Sequence, residues 1–293
     1  MKRALIIYNP NAGIKVGNNI SALVQKELQK LDYSINLFFL DKNYEKNISD
    51  FDFNGISLVI AIGGDGTVKV AARTILENKL NAKLAIVPFG SANIVATSLG
   101  LPMNPHKAIK TLRNIKNSPI DVGVINDKYY FIVGFSAGYV SDVVSRTATK
   151  LKNRFGFGSY FISVFTKNLE IKRKKFFIDD GKQKIWIKGN SLIVLNACNF
   201  YGFKPKMAIS PNDGILDLLV MTNRNFWTLM AAGIHFLIFR EPRQYFFHMK
   251  AKKFKVRFKR PITCQIDGDY IELPKNIDIK IIPSAIKITN YVQ

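Results

Sequence analysis

Cysteine, histidine and acidic residues are scarce in this chain of 293 residues. Its two cysteines and three histidines supply neither a disulfide framework nor a His/Cys metal cluster, so a reducing cytoplasm is the expected compartment. Lysine and arginine number 43 against 21 aspartates and glutamates, which gives a net charge of +22 at pH 7. Because 47% of the residues are hydrophobic, a disordered basic tail is excluded.

Long hydrophobic runs are also lacking. The nearest to a membrane span, Phe226 to Phe239, has about fourteen residues, whereas a span needs roughly 18 to 20. The apolar run before Asn9 is too short for the core of a signal peptide. We therefore expect a cytoplasmic protein that is soluble or peripheral at the inner membrane face. The charge predicts an anionic partner, which is a nucleic-acid backbone, an anionic lipid surface or nucleotide phosphates.

Residues 1–118 alternate apolar runs with segments of helical spacing. This alternation predicts an α/β domain with a parallel sheet and crossover helices. The predicted strands are Ala4–Tyr8, Ile35–Leu40, Leu58–Ile62 and Lys83–Val87.

Residues 119–293 change to a period of two and to β-branched and aromatic residues. That pattern predicts a mostly antiparallel, β-sandwich-like domain, interrupted by helix-like insertions at 140–169 and 226–239. For the last segment of the chain, two placements stay open, within this domain or packed back on the first domain. A cleft between the two domains is the expected ligand site.

The sequence AIGGDGTV, Ala61 to Val68, carries the clearest chemical signal. It follows an apolar strand and precedes a helix pattern, and its three glycines are expected to adopt positive φ so that successive amides surround an anion. The following helix adds its positive N-terminal end. Asp65, among these glycines, is predicted to hold a cation or to orient a hydroxyl. The alternative is an ordinary turn in which Asp65 caps the next helix.

Two more loops rich in glycine and asparagine follow predicted strands, at Tyr8–Gly13 (YNPNAG) and Val87–Asn93 (VPFGSAN). In a parallel sheet these loops and the GGDGTV loop share one edge, where ligands bind. The chain has no Gly-x-x-x-x-Gly-Lys-Ser/Thr and no Gly-x-Gly-x-x-Gly. A P-loop ATPase and the usual dinucleotide fingerprint are therefore excluded, and a nucleotide site of another kind remains.

Together, NPNAG, GGDGTV and PFGSAN, followed by PNDGILDL and IDGDYIEL, resemble the diacylglycerol kinase catalytic family, which includes bacterial lipid kinases and sphingosine and ceramide kinases. The resemblance covers nearly the whole chain. It implies a two-domain enzyme of lipid metabolism that binds ATP in the cleft and, with Mg²⁺, phosphorylates the hydroxyl of diacylglycerol or of a sphingosine-like lipid.

The resemblance also assigns residues to roles. Asp213 would hold the metal ion, together with the carbonyl of Ile215 and a group at Ser210. Asp269 stands where the family has a general-base glutamate, and Asp65 is the second candidate for that base. The residues that would bind ATP are Asn9, Pro10, Asn11, Ala12, Gly13, Gly63, Gly64, Asp65, Gly66, Thr67 and Ser91.

The chain departs from the family pattern at two places. Asp269 is one methylene shorter than the usual glutamate, and Ile94 follows Asn93 where diacylglycerol kinases usually have aspartate, which is closer to sphingosine kinases. Asp267-Gly268 is also a strong signal for a two-residue hairpin turn. Asp217, in the PNDGILDL segment, is interpreted as an exposed strand residue.

Basic runs at Lys172–Lys175 and Lys250–Arg260 are interpreted either as solvated faces or as membrane contacts. In the second run, strand alternation would place the cations on one side and Phe254, Val256 and Phe258 on the other. Such a face would attract an anionic membrane.

Two functions other than a lipid kinase stay open. Kinases of soluble molecules such as NAD share the GGDGT motif, and a non-catalytic membrane or anion binder would fit the charge. No nucleic-acid partner is expected, since no RNA-binding signature is evident. The oligomeric state is left open, with a homodimer as one option.

Overall fold

A computed structural model of the chain describes residues 2–10, 17–41, 44–90, 93–113, 117–139, 141, 172–198, 209–222, 245–259 and 261–289. The predicted insertions at 140–169 and 226–239 lie outside these residues, apart from Ser141. None of the described helices is long and apolar enough to cross a membrane.

The chain divides into two compact units. Unit 1 comprises Met1–Ile120 and Ser284–Gln293, and unit 2 comprises Asp121–Pro283. The roles predicted for the two parts of the chain, nucleotide binding and lipid binding, are not tested by this division and stay predictions.

Unit 1 alternates strands and helices. Its elements are β1 (Lys2–Tyr8), α1 (Gly17–Gln29), β2 (Tyr33–Phe39), α2 (Tyr44–Ser49), β3 (Ile56–Gly63), α3 (Asp65–Glu77), β4 (Lys83–Pro88), α4 (Ile94–Ser98), α5 (Pro105–Lys110) and a 3-10 turn at Thr111–Arg113. The strands are parallel and follow the order β2-β1-β3-β4. The end of the last strand, β16 (Asn276–Ile288), pairs in parallel with β4. The predicted parallel sheet is confirmed.

The strands of this sheet are apolar on both faces. In β1, Leu5 and Ile7 are as fully buried as their neighbours Ala4 and Ile6. Continuous apolar runs of this kind are typical of parallel strands that are covered on both sides. Helix α1 covers one face through residues at helical spacing, which are Ile20, Val24 and Leu28. Burying each such side chain stabilises the fold by about 1.5–3 kcal/mol.

The described part of unit 2 consists mainly of β-strands. They are β5 (Ser118–Ile125), β6 (Tyr129–Phe131), β7 (Gly134–Gly138), β8 (Lys174–Asp179), β9 (Lys184–Gly189), β10 (Ser191–Leu195), β11 (Leu216–Met221), β12 (Phe246–Ala251), β13 (Lys253–Arg257), β14 (Ile262–Ile266), β15 (Asp269–Leu273) and the first part of β16. One sheet has the order β12-β11-β10-β7-β14-β15, and its pairs are antiparallel. The other runs β16-β13-β8-β9, again antiparallel, with β5 pairing to β16 and β6.

Both sheets of unit 2 contribute to one hydrophobic core. Alternate residues of β11, such as Leu218 and Val220, belong to the same buried cluster as Phe176 of β8 and Phe254 and Val256 of β13. Sheets that share a core through alternate side chains form a sandwich. The predicted antiparallel, sandwich-like domain is therefore confirmed, as is the alternation predicted for the second basic run.

A glycine in β5 makes room for an aromatic ring of this core. Gly123 lies opposite Phe131, and a Cβ on Gly123 would overlap the Phe131 ring. We predict that Gly123→Ala lowers the free energy of unfolding by about 1–3 kcal/mol through overpacking. Chemical denaturation measures this change. The matched control is Gly66→Ala in α3, because a Cβ there meets nothing within 4 Å. Equal stability of the two variants would contradict the packing argument.

Candidate active site

The loops that follow β1, β3 and β4 meet at one edge of the unit 1 sheet. The amide of Asn9 donates to the carbonyl of Ile62 at 3.2 Å, and the amide of Phe89 donates to the carbonyl of Gly63 at 2.8 Å. The described starts of the three loops therefore lie at the edge where convergence was expected. Asn11, Ala12, Gly13 and Ser91 lie outside the described residues.

Two of these loops touch through bare backbone. A Cβ on Gly90 would lie 2.5 Å from the Cα of Gly64, and a Cβ on Gly63 would overlap the side chain of Thr67. The prediction of positive φ at Gly63, Gly64 and Gly66 was wrong, because the φ of Gly64 is −91° and the other two are also outside the left-handed region. A side chain at Gly63 or Gly90 would block this close approach, and one at Gly64 would be crowded, with its Cβ 3.3 Å from the Cα of Gly90.

Asp65 connects the same two loops. It is the first residue of α3, it is partly exposed, and its Oδ1 accepts a hydrogen bond of 2.8 Å from the amide of Val95 in α4. The side chain of Asn93 closes the second loop, since it donates to the carbonyl of Gly90 and accepts from the Gly90 amide. Asp65 therefore has a structural contact in addition to the chemical role predicted for it.

Thr67 places a polar atom in this site without a protein partner. The residue is 2% exposed, and Oγ1 is buried with no hydrogen bond to any group within the described residues. An unsatisfied buried hydroxyl costs about 1–3 kcal/mol. It lies in the first turn of α3, where helix amides favour an anion.

The residues predicted to hold a metal ion lie next to one another in unit 2, in the turn before β11. Asp213 Oδ1 accepts from the amide of Ile215 at 3.0 Å, and the hydroxyl of Ser210 is hydrogen-bonded to Asn212. Partial burial raises the pKa of the Asp213 carboxyl above its ordinary value. The neighbouring charges of Asp217 and Asp121 also raise this pKa, while the Ile215 amide and Lys250 lower it.

Two further carboxylates accompany Asp213, and the sequence analysis did not assign them to the site. Asp121 is buried, and its Oδ2 accepts from the amide of Gly214 at 2.6 Å. Asp217 was wrongly interpreted as exposed, because it is fully buried in β11 and pairs with His248 at 2.6 Å and Lys250 at 3.2 Å. A lone aspartate within the apolar run LDLLVM was the signal that could have identified it.

These three carboxylates suit a hard cation, which prefers oxygen ligands. One Asp217 oxygen, Oδ2, is buried and has no hydrogen-bond partner among the residues that the structure describes. No group of three or more histidine, cysteine, aspartate or glutamate side chains arranged to hold a metal ion is found within the described residues. Mg²⁺ usually takes only one or two protein carboxylates, and water and phosphate supply the rest. The donor set therefore fits Mg²⁺ better than a metal held in a cage of protein ligands.

Asp269 is the first residue of β15, directly after a two-residue hairpin turn, and it is exposed. The turn residues Asp267 and Gly268 have φ of 46° and 95°, so both adopt the left-handed conformation of this turn type. The predicted hairpin is confirmed. It leaves the Asp269 side chain accessible.

The carboxylate of Asp267 performs a separate structural task. It accepts hydrogen bonds from the amides of Ile132 at 2.6 Å, Val133 at 2.9 Å and Gly134 at 2.8 Å. Its own amide donates to the carbonyl of Gly134 at 3.1 Å. Asp267 thus ties the hairpin that carries Asp269 to the segment between β6 and β7.

A buried asparagine extends these contacts toward the Asp213 turn. The Asn196 side chain donates to the carbonyls of Asp121 at 2.9 Å and Ile132 at 2.7 Å. Asp121 in turn accepts from Gly214, beside Asp213. Hydrogen bonds therefore link the turn predicted to hold a metal ion with the hairpin predicted to carry the base, within one unit.

Comparison with known proteins follows the same division of the chain. Residues 3–125 match the family described as the diacylglycerol kinase catalytic domain. This segment of the chain is similar to the diacylglycerol kinase catalytic domain. The matched segment contains all three glycine-rich loops and Asp65, and it ends with β5.

Curated relatives extend the similarity of this family beyond the matched segment. The chain is 26% identical over 287 residues to a protein of Bacillus subtilis (strain 168) named "Diacylglycerol kinase", with 92% of this chain and 90% of the relative covered. It is 28% identical over 237 residues to a protein of Klebsiella pneumoniae (strain 342) named "Probable lipid kinase YegS-like", covering 79% and 77%. The family and these relatives support a lipid kinase.

A solved structure matches the fold over nearly the full length. The crystal structure of a diacylglycerol kinase from Bacillus anthracis str. Sterne superposes with a TM-score of 0.76 at 20% identity, covering 99% of this chain and 97% of that one. The fold class that the family implies is therefore confirmed.

The Asp267 contacts can be tested by a change that keeps the size of the side chain. Asn has one acceptor oxygen, so Asp267→Asn turns an NH₂ group toward an amide donor and removes the charge from the remaining hydrogen bonds. We predict a loss of about 2–4 kcal/mol in the free energy of unfolding, measured by chemical denaturation.

The control is Asp32→Asn, at an exposed position with φ of 58°, where Asn fits the left-handed backbone equally well. A similar loss in both variants would mean that the Asp267 contacts contribute nothing specific.

Proposed function

We propose that the chain is an ATP- and Mg²⁺-dependent lipid kinase that transfers the γ-phosphoryl group to the hydroxyl of diacylglycerol or of a sphingosine-like lipid. The observation that carries this proposal is the meeting of the three glycine-rich loops at the carboxyl edge of the unit 1 sheet, where Gly64 and Gly90 come into backbone contact. The match of residues 3–125 to the catalytic domain of the family supports it.

Phosphoryl transfer needs positioning and charge neutralisation more than covalent help. The loop edge offers the N-terminus of α3, whose positive end suits phosphate oxygens. We assign the nucleotide to this edge, with Asn9 and Gly63–Thr67 in contact with it. Asn11, Gly13 and Ser91 are assigned to it by the resemblance alone.

Asp213 would hold Mg²⁺, with Ile215 and Ser210 beside it and Asp121 supporting the turn through its bond to Gly214. When bound, Mg²⁺ supplies positive charge that offsets the excess of carboxylates in this region. Lys250 already neutralises part of the Asp217 charge, and His248 is hydrogen-bonded to the same carboxylate oxygen.

Asp269 is our candidate for the general base. As the lipid oxygen bonds to the γ-phosphorus, its O–H proton passes to the Asp269 carboxylate, the bond to the bridging oxygen breaks, and ADP leaves with that electron pair. The exposed position at the start of β15 suits contact with a substrate from outside. Asp267 acts as a positioning residue, since its three bonds fix the turn that precedes Asp269.

The acceptor class follows from the relatives, which are named for diacylglycerol or for lipid. A lipid acceptor places the enzyme at a membrane surface, and we propose peripheral association from the cytoplasmic side.

A direct test incubates the protein with labelled ATP, Mg²⁺ and a total lipid extract. Label is expected to enter the organic phase. Asp65→Asn should reduce turnover by at least about 10²-fold, because the charge is lost while an oxygen that can accept from Val95 is kept. Unchanged thermal unfolding of this variant is the control.

Two results would contradict the proposal. Label confined to a soluble product such as a dinucleotide would indicate a kinase of the soluble type. If the folded protein transferred label to no acceptor, the result would indicate a non-catalytic anion binder.

The base assignment has its own test. Asp269→Asn keeps the size of the side chain but cannot take up the proton, so we predict that kcat on the best lipid falls on the order of 10²-fold or more. Thermal unfolding of this variant is measured beside kcat, so that a loss of turnover in a folded protein is assigned to the missing base. Asp269→Glu, which restores the family residue, shows whether the site has room for the longer side chain. Wild-type turnover of Asp269→Asn would transfer the role to Asp65.

A further inference from the structure

The outer face of the second unit 2 sheet is strongly cationic. On β16, β13, β8 and β9 the residues that alternate with the buried ones point away from the core. At these positions the cations are Lys175, Lys184, Lys188, Lys253, Lys255, Arg257 and Lys280, and the carboxylates are Asp179 and Asp278. Seven positive charges against two leave this outer cationic face with a net charge of +5.

Some of these cations lower the stability of the sheet because they repel each other. Lys175 on β8 lies directly opposite Lys188 on β9, and Lys253 lies opposite Lys280. Like charges directly opposite each other on one face destabilise a sheet. Lys280 is relieved by an ion pair with Asp127. An anionic surface beside the face would relieve the repulsion between Lys175 and Lys188.

Among the cations stands an exposed tryptophan. Trp186 on β9 is 60% exposed, although its neighbours Ile185 and Ile187 pack against the core. Its ring lies 5.2 Å from that of Phe177, and the Arg257 guanidinium lies 5.3 Å from the Phe177 ring. Strand β9 is the last in the order of this sheet. The indole is therefore held at the margin of the face, with most of its surface in solvent.

We propose that this outer cationic face docks unit 2 on the surface of an anionic phospholipid bilayer, with Trp186 entering the headgroup region. Tryptophan among lysines and arginines is the combination that favours a membrane interface. Lysine and arginine near such a surface add attraction to anionic lipids. The proposal rests on the proposed function, because a kinase of a lipid hydroxyl must meet its acceptor at a bilayer.

Single-stranded nucleic acid is the competing partner for a cationic sheet face with aromatic residues. Nucleic-acid binders of this kind stack successive bases on several open rings. On this face Phe177 is flanked by Arg257 and Trp186, which leaves one indole largely open. The face therefore favours a bilayer.

The test is sedimentation of the full chain with vesicles that contain no acceptor lipid. One set is phosphatidylcholine alone, and the other is equal parts of phosphatidylcholine and phosphatidylglycerol. We expect binding to the anionic set, falling steeply as salt shortens the reach of surface charge to about 8 Å at 0.15 M. Trp186→Ala should weaken binding on the order of tenfold.

A double variant separates charge from folding. Lys175→Gln with Lys188→Gln should weaken anionic vesicle binding by roughly tenfold or more, and should not lower thermal stability because a repulsive pair is removed. The matched control neutralises two exposed lysines of unit 1, Lys26 and Lys110, to glutamine. It should bind within about twofold of wild type if the outer cationic face dominates docking.

Each of four results would overturn the docking proposal. The first two are equal binding of wild type to neutral and anionic vesicles, and a loss of binding in the unit 1 control variant as large as in the double variant of the face. The third is wild-type binding to anionic vesicles by both face variants. The fourth is binding to single-stranded RNA that Trp186→Ala weakens while its binding to vesicles is unchanged.

Activity on a short-chain diacylglycerol dispersed without a bilayer distinguishes failure of docking from failure of the proposed function. The face variants should keep wild-type kcat on this acceptor. A wild-type protein that binds anionic vesicles but phosphorylates no lipid would retain the docking face and lose the proposed function. A face variant inactive on the dispersed acceptor would contradict a role limited to docking.

Discussion

The segment Ile132–Gly134 is the part of unit 2 on which its candidate chemistry depends, because side chains and loops hold both edges of its backbone. The Asp267 carboxylate accepts hydrogen bonds from all three backbone amides of this segment. Asn196 donates from its side chain to the carbonyl of Ile132 and from its backbone amide to the carbonyl of Val133. Each buried amide that lost its acceptor would cost about 1–3 kcal/mol. Fixing this segment fixes the turn before Asp269, so the geometry of an exposed carboxylate is determined by buried hydrogen bonds.

The loops of unit 1 are held by contacts of a different kind. There, the absence of side chains at Gly64 and Gly90 lets two loops touch, and Asp65 and Asn93 add hydrogen bonds that close the junction. Preorganised amides lower the cost of binding a charged ligand, because little ordering is left to be done when it arrives. In unit 1, Asp65, to which the sequence analysis gave a chemical role, also maintains the backbone around it. In unit 2 this task belongs to Asp267, two residues before the candidate base Asp269.

The sequence was most informative where periodicity is local. The apolar runs of unit 1, the alternation of Lys253–Arg257 and the Asp267-Gly268 turn were all predicted and are observed. It failed where the cause lies far along the chain. The glycines at 63 and 64 are required by contacts with Thr67 and Gly90, not by their own φ. Asp267 meets amides more than 130 residues away, and Asp217 is buried against a strand that a sequence cannot place.

Strand β16 gives unit 1 an unusual dependence on the order of synthesis. Its Lys287 and Ile288 complete the sheet by pairing with Lys83 and Leu84 of β4. A ribosome that adds about 5–20 residues per second needs roughly 10–30 s to pass from the first segment of unit 1 to the second. During that interval the outer hydrogen-bonding edge of β4 has no β16 partner, and open strand edges invite pairing with other chains. The nascent protein is therefore open to such pairing at Lys83 and Leu84 until β16 has been synthesised.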